Sequence, residues 1–260
     1  GLGLAACGEA SDGHNHTHGP DAAQVVDAPP AAPWPFALPA GFPSPRLPVG
    51  ERLTVELAEL GRHLFYDPRL SANGTQACGS CHLQAQAFAD GRVTAVGSTG
   101  EVLRRNAMGL TNVAYVPALT WANPTLTTLE AQALVPIYAT HPIELGATGH
   151  EEEILERLRI DGTYPARFAA AFPQQEDPID WVNIVKAISA FEWRLISGSS
   201  RFDRGELNAS EARGRDLFFS EELECQHCHG GFNFTIAVDH AGLLEPQSFF
   251  FNTGLYNLSG

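Results

Sequence analysis

From Leu53 the chain reads LTVELAELGRHLF, and Leu57, Leu60 and Leu64 recur at the three- and four-residue intervals that put them on one face of a helix. A longer stripe follows downstream, where Trp181, Ile184, Val185, Ile188, Phe191 and Leu195 predict a helix from about Asp180 to Ser197. Thr148 and Glu151 have capping-box spacing just ahead of ILERLRI, which marks another helix start. Alternating apolar and polar runs bounded by hairpin turns are scarce, so the expected fold class is mainly α. SGSSRFDRGELNAS, 197 to 210, is rich in turn formers and reads as a connector between two units, 51–200 and 201–260.

Composition narrows the class. The 260 residues are 44% apolar and 18% charged, a globular balance, and no apolar run is long enough to span a bilayer as a helix. The formal net charge of -14 argues against a nucleic-acid partner, because phosphate binding rests on Lys and Arg. GLGLAACGEA resembles the end of a bacterial lipoprotein signal peptide, so residues 1–7 are read as its remnant and Cys7 as the lipidated residue of an exported, periplasmic chain, touching a membrane only through that anchor. Residues 8–50, rich in Ala, Pro, Gly and His, read as a tether. Within it His14, His16 and His18 alternate in HNHTHG, a pattern that suits copper or zinc as well as it suits a plain solvated linker.

The other four cysteines fall into two pairs, each followed at once by histidine: CGSCH at 78–82 and CQHCH at 225–229. A shared zinc site is disfavoured by the more than 140 residues between the pairs, and a disulfide gives no reason for the histidine. Covalent c-type haem asks for all three residues: two thiols add to the two vinyl groups, and the histidine binds the iron. Cys78, Cys81 and His82 are therefore assigned to one haem, and Cys225, Cys228 and His229 to a second. GRHLFY at 61–66 leads into the first motif and GRDLFF at 214–219 into the second, the mark of an internal duplication of a cytochrome c-like unit.

LGRHLFYDPRLSANGTQACGSCH, RRNAMGLTNVAY, LEAQALVPI, IELG and AISAFEWRLISGSSRFD together resemble the bacterial dihaem cytochrome c peroxidases and their MauG-like relatives; HPIELG, HCHGGFNFT and FFFNTGLYNL are most similar to the MbnH-type dihaem enzymes. The resemblance implies that the haem at 78–82 meets hydrogen peroxide and the haem at 225–229 handles electrons. It implies Glu144 as the distal acid–base group and Gln132 as its hydrogen-bonding partner, with His141 brought near by a longer intervening stretch. It further implies Trp121 as an electron relay between the haems and Asn106 as a ligand of an interhaem calcium ion; Arg104 and Arg105 suit haem propionates as well as they suit a solvated basic turn. LQAQAFADGRVTAVGSTGEVLRRN lacks the histidine with which many relatives block the reactive iron, so a five-coordinate, peroxide-ready haem is expected. Met108 lies in the wrong region to be the second haem's distal ligand, and Tyr256 follows His229 too closely. The family's chains run past a point equivalent to Gly260, so the C-terminal haem domain is expected to be incomplete.

Three functions are weighed. The first is an enzyme that uses peroxide to bring its haem irons to a high-valent state and oxidises a partner protein, tryptophan to kynurenine in the MbnH manner. The second is a cytochrome c peroxidase that reduces peroxide to water with electrons from a small redox protein. The third, a non-catalytic dihaem carrier, has no use for Glu144 and Gln132.

Overall fold

A computed structural model describes residues 37–48 and 53–251. Its helices are α1 (Val55–Phe65), α2 (Cys78–Cys81), α3 (Leu129–Tyr138), α4 (Glu151–Arg159), α5 (Tyr164–Ala171), α6 (Trp181–Glu192), α7 (Ala209–Phe218) and α8 (Gln226–His229). Among the described residues, extended pairing is confined to isolated bridges such as Leu83 with Ala89 and Val96 with Val102, so the mainly α expectation holds. The lipidation and copper expectations at Cys7, His14, His16 and His18, and Tyr256, lie outside the described residues.

The core forms where α1 crosses α6. Thr54 caps α1 by accepting from Leu57 N, and Asp180 caps α6 by accepting from Asn183 N. Behind those caps Leu60, Leu64 and Phe65 of one helix and Ile184 and Ile188 of the other are fully buried. Each such side chain contributes about 1.5–3 kcal/mol relative to exposure. The helices meet at Gly61, where a Cβ would stand 1.7 Å from the Ala187 carbonyl oxygen. A helical glycine costs about 0.5–1 kcal/mol against alanine; here it is retained because only a bare backbone admits the crossing.

Two helix boundaries differ from the sequence expectation. The stripe from Trp181 continues to Leu195, but α6 stops at Glu192. Asn112, itself left-handed at φ 61°, takes over the backbone groups beyond: its N–H donates to Leu195 O, its side-chain amide donates to Ser197 O, and its Oδ1 accepts from Ser197 N at 2.7 Å. Thr148 does not cap α4. Its hydroxyl donates to Tyr138 O at 2.9 Å, and the helix start falls two residues later, behind His150, with Glu151, Glu152 and Glu153 favourably placed at the positive end of α4.

From Trp193 to Phe251 no described residue is buried. This part joins the rest through an Arg46–Asp239 ion pair at 2.8 Å, an Asn112–Asn233 hydrogen bond, and Phe232 packed edge-on against Tyr115 and Phe42.

Candidate functional site

The approach to the first Cys-x-x-Cys-His is fixed by a buried serine and an arginine. Ser71 Oγ accepts from Thr75 N and Gln76 N, while Arg157 of α4 donates to the carbonyls of Arg69, Ser71 and Ala72. α2 then carries Cys78 and Cys81, with Gly79 beneath the Tyr66 ring, where a Cβ would come within 2.4 Å of a ring carbon. Both thiols are free.

The histidine after each pair is held in the same way. His82 Nδ1 lies 2.7 Å from Phe88 O, and His229 Nδ1 lies 3.2 Å from Phe234 O. A carbonyl can only accept, so each Nδ1 carries the proton and each Nε2 keeps its lone pair, the tautomer an iron ligand requires. Phe88 and Phe234 are both left-handed, at φ 60° and 53°. The agreement extends to the rings. Phe65 stands 6.3 Å from His82 at 48°, and Phe218 stands 6.4 Å from His229 at 49°; Phe65 to Phe88 is 6.2 Å at 74°, and Phe218 to Phe234 is 6.0 Å at 75°. The GRHLFY and GRDLFF segments therefore serve as two copies of one histidine mount.

A cavity of about 310 Å³ opens beside Cys78, Cys81 and His82. Ala95, Leu103, Leu110, Ile137 and Ile188 supply apolar wall, and Gln132, Glu144 and Glu192 supply polar groups. Gln132 is on α3, whose last turn receives the following loop: Leu145 N donates to Pro136 O and Ala147 N to Ile137 O. On the other side Ser98 N donates to Glu144 O, and Ile143 N donates to a Glu101 carboxylate oxygen. Gly97 is needed there, because a Cβ would stand 1.8 Å from Ile143 O. The Glu144 backbone is thereby clamped, and burial raises its carboxyl above the ordinary range. Burial likewise lowers His82, favouring the neutral imidazole, and raises the Cys78 thiol to about 12, with the nearby Glu192 adding to the second effect.

The structure brings Gln132, Glu144, Trp121, Asn106, Arg104 and Arg105 to this cavity together with the haem-anchoring residues. Trp121 is 40% exposed, donates from its indole N–H to Asn106 O at 3.4 Å, and lies under the Arg105 guanidinium at 5.8 Å. His141 is exposed and is not among the residues that line the cavity, whereas Pro142, Glu144 and Leu145 are. Around Asn106 the structure assembles no carboxylate set for calcium; among the described residues no group of three or more His, Cys, Asp or Glu is suited to a metal ion. Met108 lines this first cavity, away from His229.

These residues fit a covalent haem at 78–82: unbridged thiols, a histidine with its lone pair preset, and an apolar cavity alongside. At 225–229 the mount is the same but the motif is more open, with Cys228 and His229 exposed. Sequence reasoning missed the two phenylalanine carbonyls and Glu192. The signal for the latter was present, since Glu192 stands four residues after Ile188 and interrupts an otherwise apolar stripe.

Comparison with known proteins agrees. The family model for di-haem cytochrome c peroxidase matches residues 55–212. The chain belongs to the di-haem cytochrome c peroxidase family. Among its relatives, the methylamine utilization protein MauG of Methylorubrum extorquens is 33% identical over 205 residues, 77% of this chain and 56% of that one. The cytochrome c peroxidase Ccp of Escherichia coli is 34% identical over 72% of this chain and 40% of its own. A crystal structure of a MauG-like protein associated with microbial copper homeostasis superposes with a TM-score of 0.83 at 46% identity, covering 87% of this chain and 66% of the other. The chain spans about half the length of the curated family members it matches.

Proposed function

We propose that this chain, carrying haem at both Cys-x-x-Cys-His motifs, is the core of a peroxide-dependent oxidoreductase that oxidises a partner protein, converting tryptophan to kynurenine in the MbnH manner. The observation that carries the reading is the gathering of His82, Gln132 and Glu144 around one cavity. When bound there, the haem supplies an iron that reacts with hydrogen peroxide and draws electrons from a donor.

The chain's own residues do the rest. Reducing one peroxide to two waters consumes two electrons and two protons, so the site needs a group that moves protons. Glu144, half-buried and raised above the ordinary carboxyl range, can accept a proton at a carboxylate oxygen and return it. The Gln132 amide orients what Glu144 acts on, and the apolar wall excludes bulk water. Trp121, 40% exposed on the cavity lining, is the proposed electron relay between the two haems. The copper association printed for the MauG-like relative supports a copper-linked, periplasmic partner, a setting in which HNHTHG and a lipid anchor at Cys7 make sense. The second reading, reduction of peroxide by electrons from a small cytochrome or copper protein, is supported by relatives named cytochrome c peroxidase.

The test mixes full-length holoprotein with peroxide and a candidate copper-handling partner, and looks by mass spectrometry for oxidised tryptophan in that partner. Partner oxidation is expected, with a fall of about 10²–10⁴-fold in Glu144→Gln at unchanged haem content. Peroxide consumption that requires only a reduced cytochrome, with the partner unmodified, selects the second reading. No consumption by protein with both haems attached overturns both.

A further inference from the structure

Glu192 has no part in the reading above, yet it is the most deeply buried carboxyl on the cavity wall. It ends α6, is 6% exposed, and lines the same cavity as Cys78, His82, Gln132 and Glu144. One of its oxygens, Oε2, is buried without a hydrogen-bond partner. Buried polar atoms are almost always satisfied, so an orphaned carboxyl oxygen beside a cofactor cavity marks a group whose function is not structural pairing.

The surroundings define what it can do. From α2 it is faced by Cys78, on which its charge acts; from α3 by Glu130, whose charge acts on it. Glu144, His82, Arg104 and Arg105 share the cavity, while α1 packs on α6 through Leu57, Leu60, Leu64 and Phe65. Glu130 also borders a small surface pocket with Lys186 and Trp193, so α3 and α6 hold one carboxyl at the surface and one at the cavity. Burial first, and Glu130 second, push Glu192 up to about 8.

We propose that Glu192 is the residue that takes up a proton when the haem at Cys78 and Cys81 takes up an electron. One electron passes from an external reductant to the iron, one proton passes from water to a Glu192 carboxylate oxygen, and the net charge of the cavity is unchanged; oxidation reverses both transfers. The sign follows from Coulomb's law. A ferric haem core carries one positive charge, which favours the carboxylate, whereas a ferrous core carries none. Across a cavity of this size the difference in proton affinity is on the order of tenfold. Glu192 is thus a positioning residue that matches proton to electron, and the Glu130 charge tunes it. The inference rests on haem attachment at Cys78 and Cys81, and not on any reaction with peroxide.

The experiment is potentiometric titration of the dihaem protein between pH 6 and 9 without peroxide, with haem content checked by pyridine haemochrome. The N-terminal wave is assigned by its absence from a Cys78→Ala/Cys81→Ala variant. In the wild type its midpoint should fall by about 59 mV in all, the equivalent of that tenfold difference, as pH rises toward about 8, and level off above. Glu192→Gln should flatten this wave and leave the second haem's wave unchanged. Glu130→Gln should move the sloping region to lower pH. A flat wild-type wave, a slope that survives in Glu192→Gln, or a slope abolished by Glu144→Gln instead overturns the proposal. If Glu192→Gln does not take up haem, Glu130→Gln decides: an unmoved slope overturns it.

Discussion

Replacing Gly61 by alanine tests whether the α1–α6 crossing sets the stability of the haem-bearing core. The added Cβ would lie 1.7 Å from Ala187 O and 2.4 Å from Ala187 C, about half a normal contact distance, and the obstacle is backbone rather than a side chain that could rotate away. The helices must separate. Overpacking of this kind costs about 1–3 kcal/mol, and a backbone obstacle places it at or above the top of that range. Alanine recovers about 1 kcal/mol of helix propensity, leaving a net loss of roughly 2 kcal/mol or more. For a protein of this size that is a melting temperature lower by about 4–8 °C. The matching glycine of the duplicated segment is the control: a Cβ at Gly214 meets nothing within 4 Å, so Gly214→Ala in this 260-residue chain should leave the transition unchanged or raise it. The assay is thermal unfolding of haem-loaded protein followed by far-ultraviolet circular dichroism. Gly61→Ala melting at or above the wild-type temperature would refute the argument, because the crossing would then tolerate a wider approach.

Ala87 is left-handed at φ 55° next to Phe88, so Ala87→Gly should stabilise the His82 mount by about 1 kcal/mol in denaturant titration; a loss of stability would show that the turn is not strained. The loop after the first motif carries no histidine, and the resting oxidised protein should therefore show a high-spin, five-coordinate signal from the N-terminal haem, checked by electron paramagnetic resonance; purely low-spin six-coordinate iron would contradict this. Glu192, raised from 4.5 to about 8, keeps a proton in the folded state that the unfolded chain releases, so its contribution to stability is present below pH 4.5 and is lost as pH climbs toward about 8, by up to about 1.4 kcal/mol per pH unit. Glu192→Gln should remove that part of the pH dependence, and urea midpoints that fall with pH equally in both proteins would count against it.

The parts of this molecule legible in the sequence are those written as local patterns. The leucine stripe of α1 and the stripe ending in Phe191 are periodicities, the two Cys-x-x-Cys-His motifs are spacings, and GRHLFY and GRDLFF are a repeat; each reappears in the structure, the repeat as two histidine mounts alike to within a few tenths of an ångström and a few degrees. Glu144 and Gln132 were reachable through family resemblance, since the residues that fix Glu144, Ser98, Glu101 and Gly97, lie more than forty positions before it. His141, three residues from Glu144 along the chain, stands exposed in a bend, so proximity in sequence did not bring it to the cavity lining. Asn112 holds the chain just beyond α6, at Ser197, from 85 positions away, a tertiary override of a local stripe. Glu192 is the instructive case, because a carboxylate on an apolar stripe breaks the pattern that makes α6 a core helix. A break of that kind in a helix so well buried costs stability, and it marks where the fold has given way to the chemistry of the cavity.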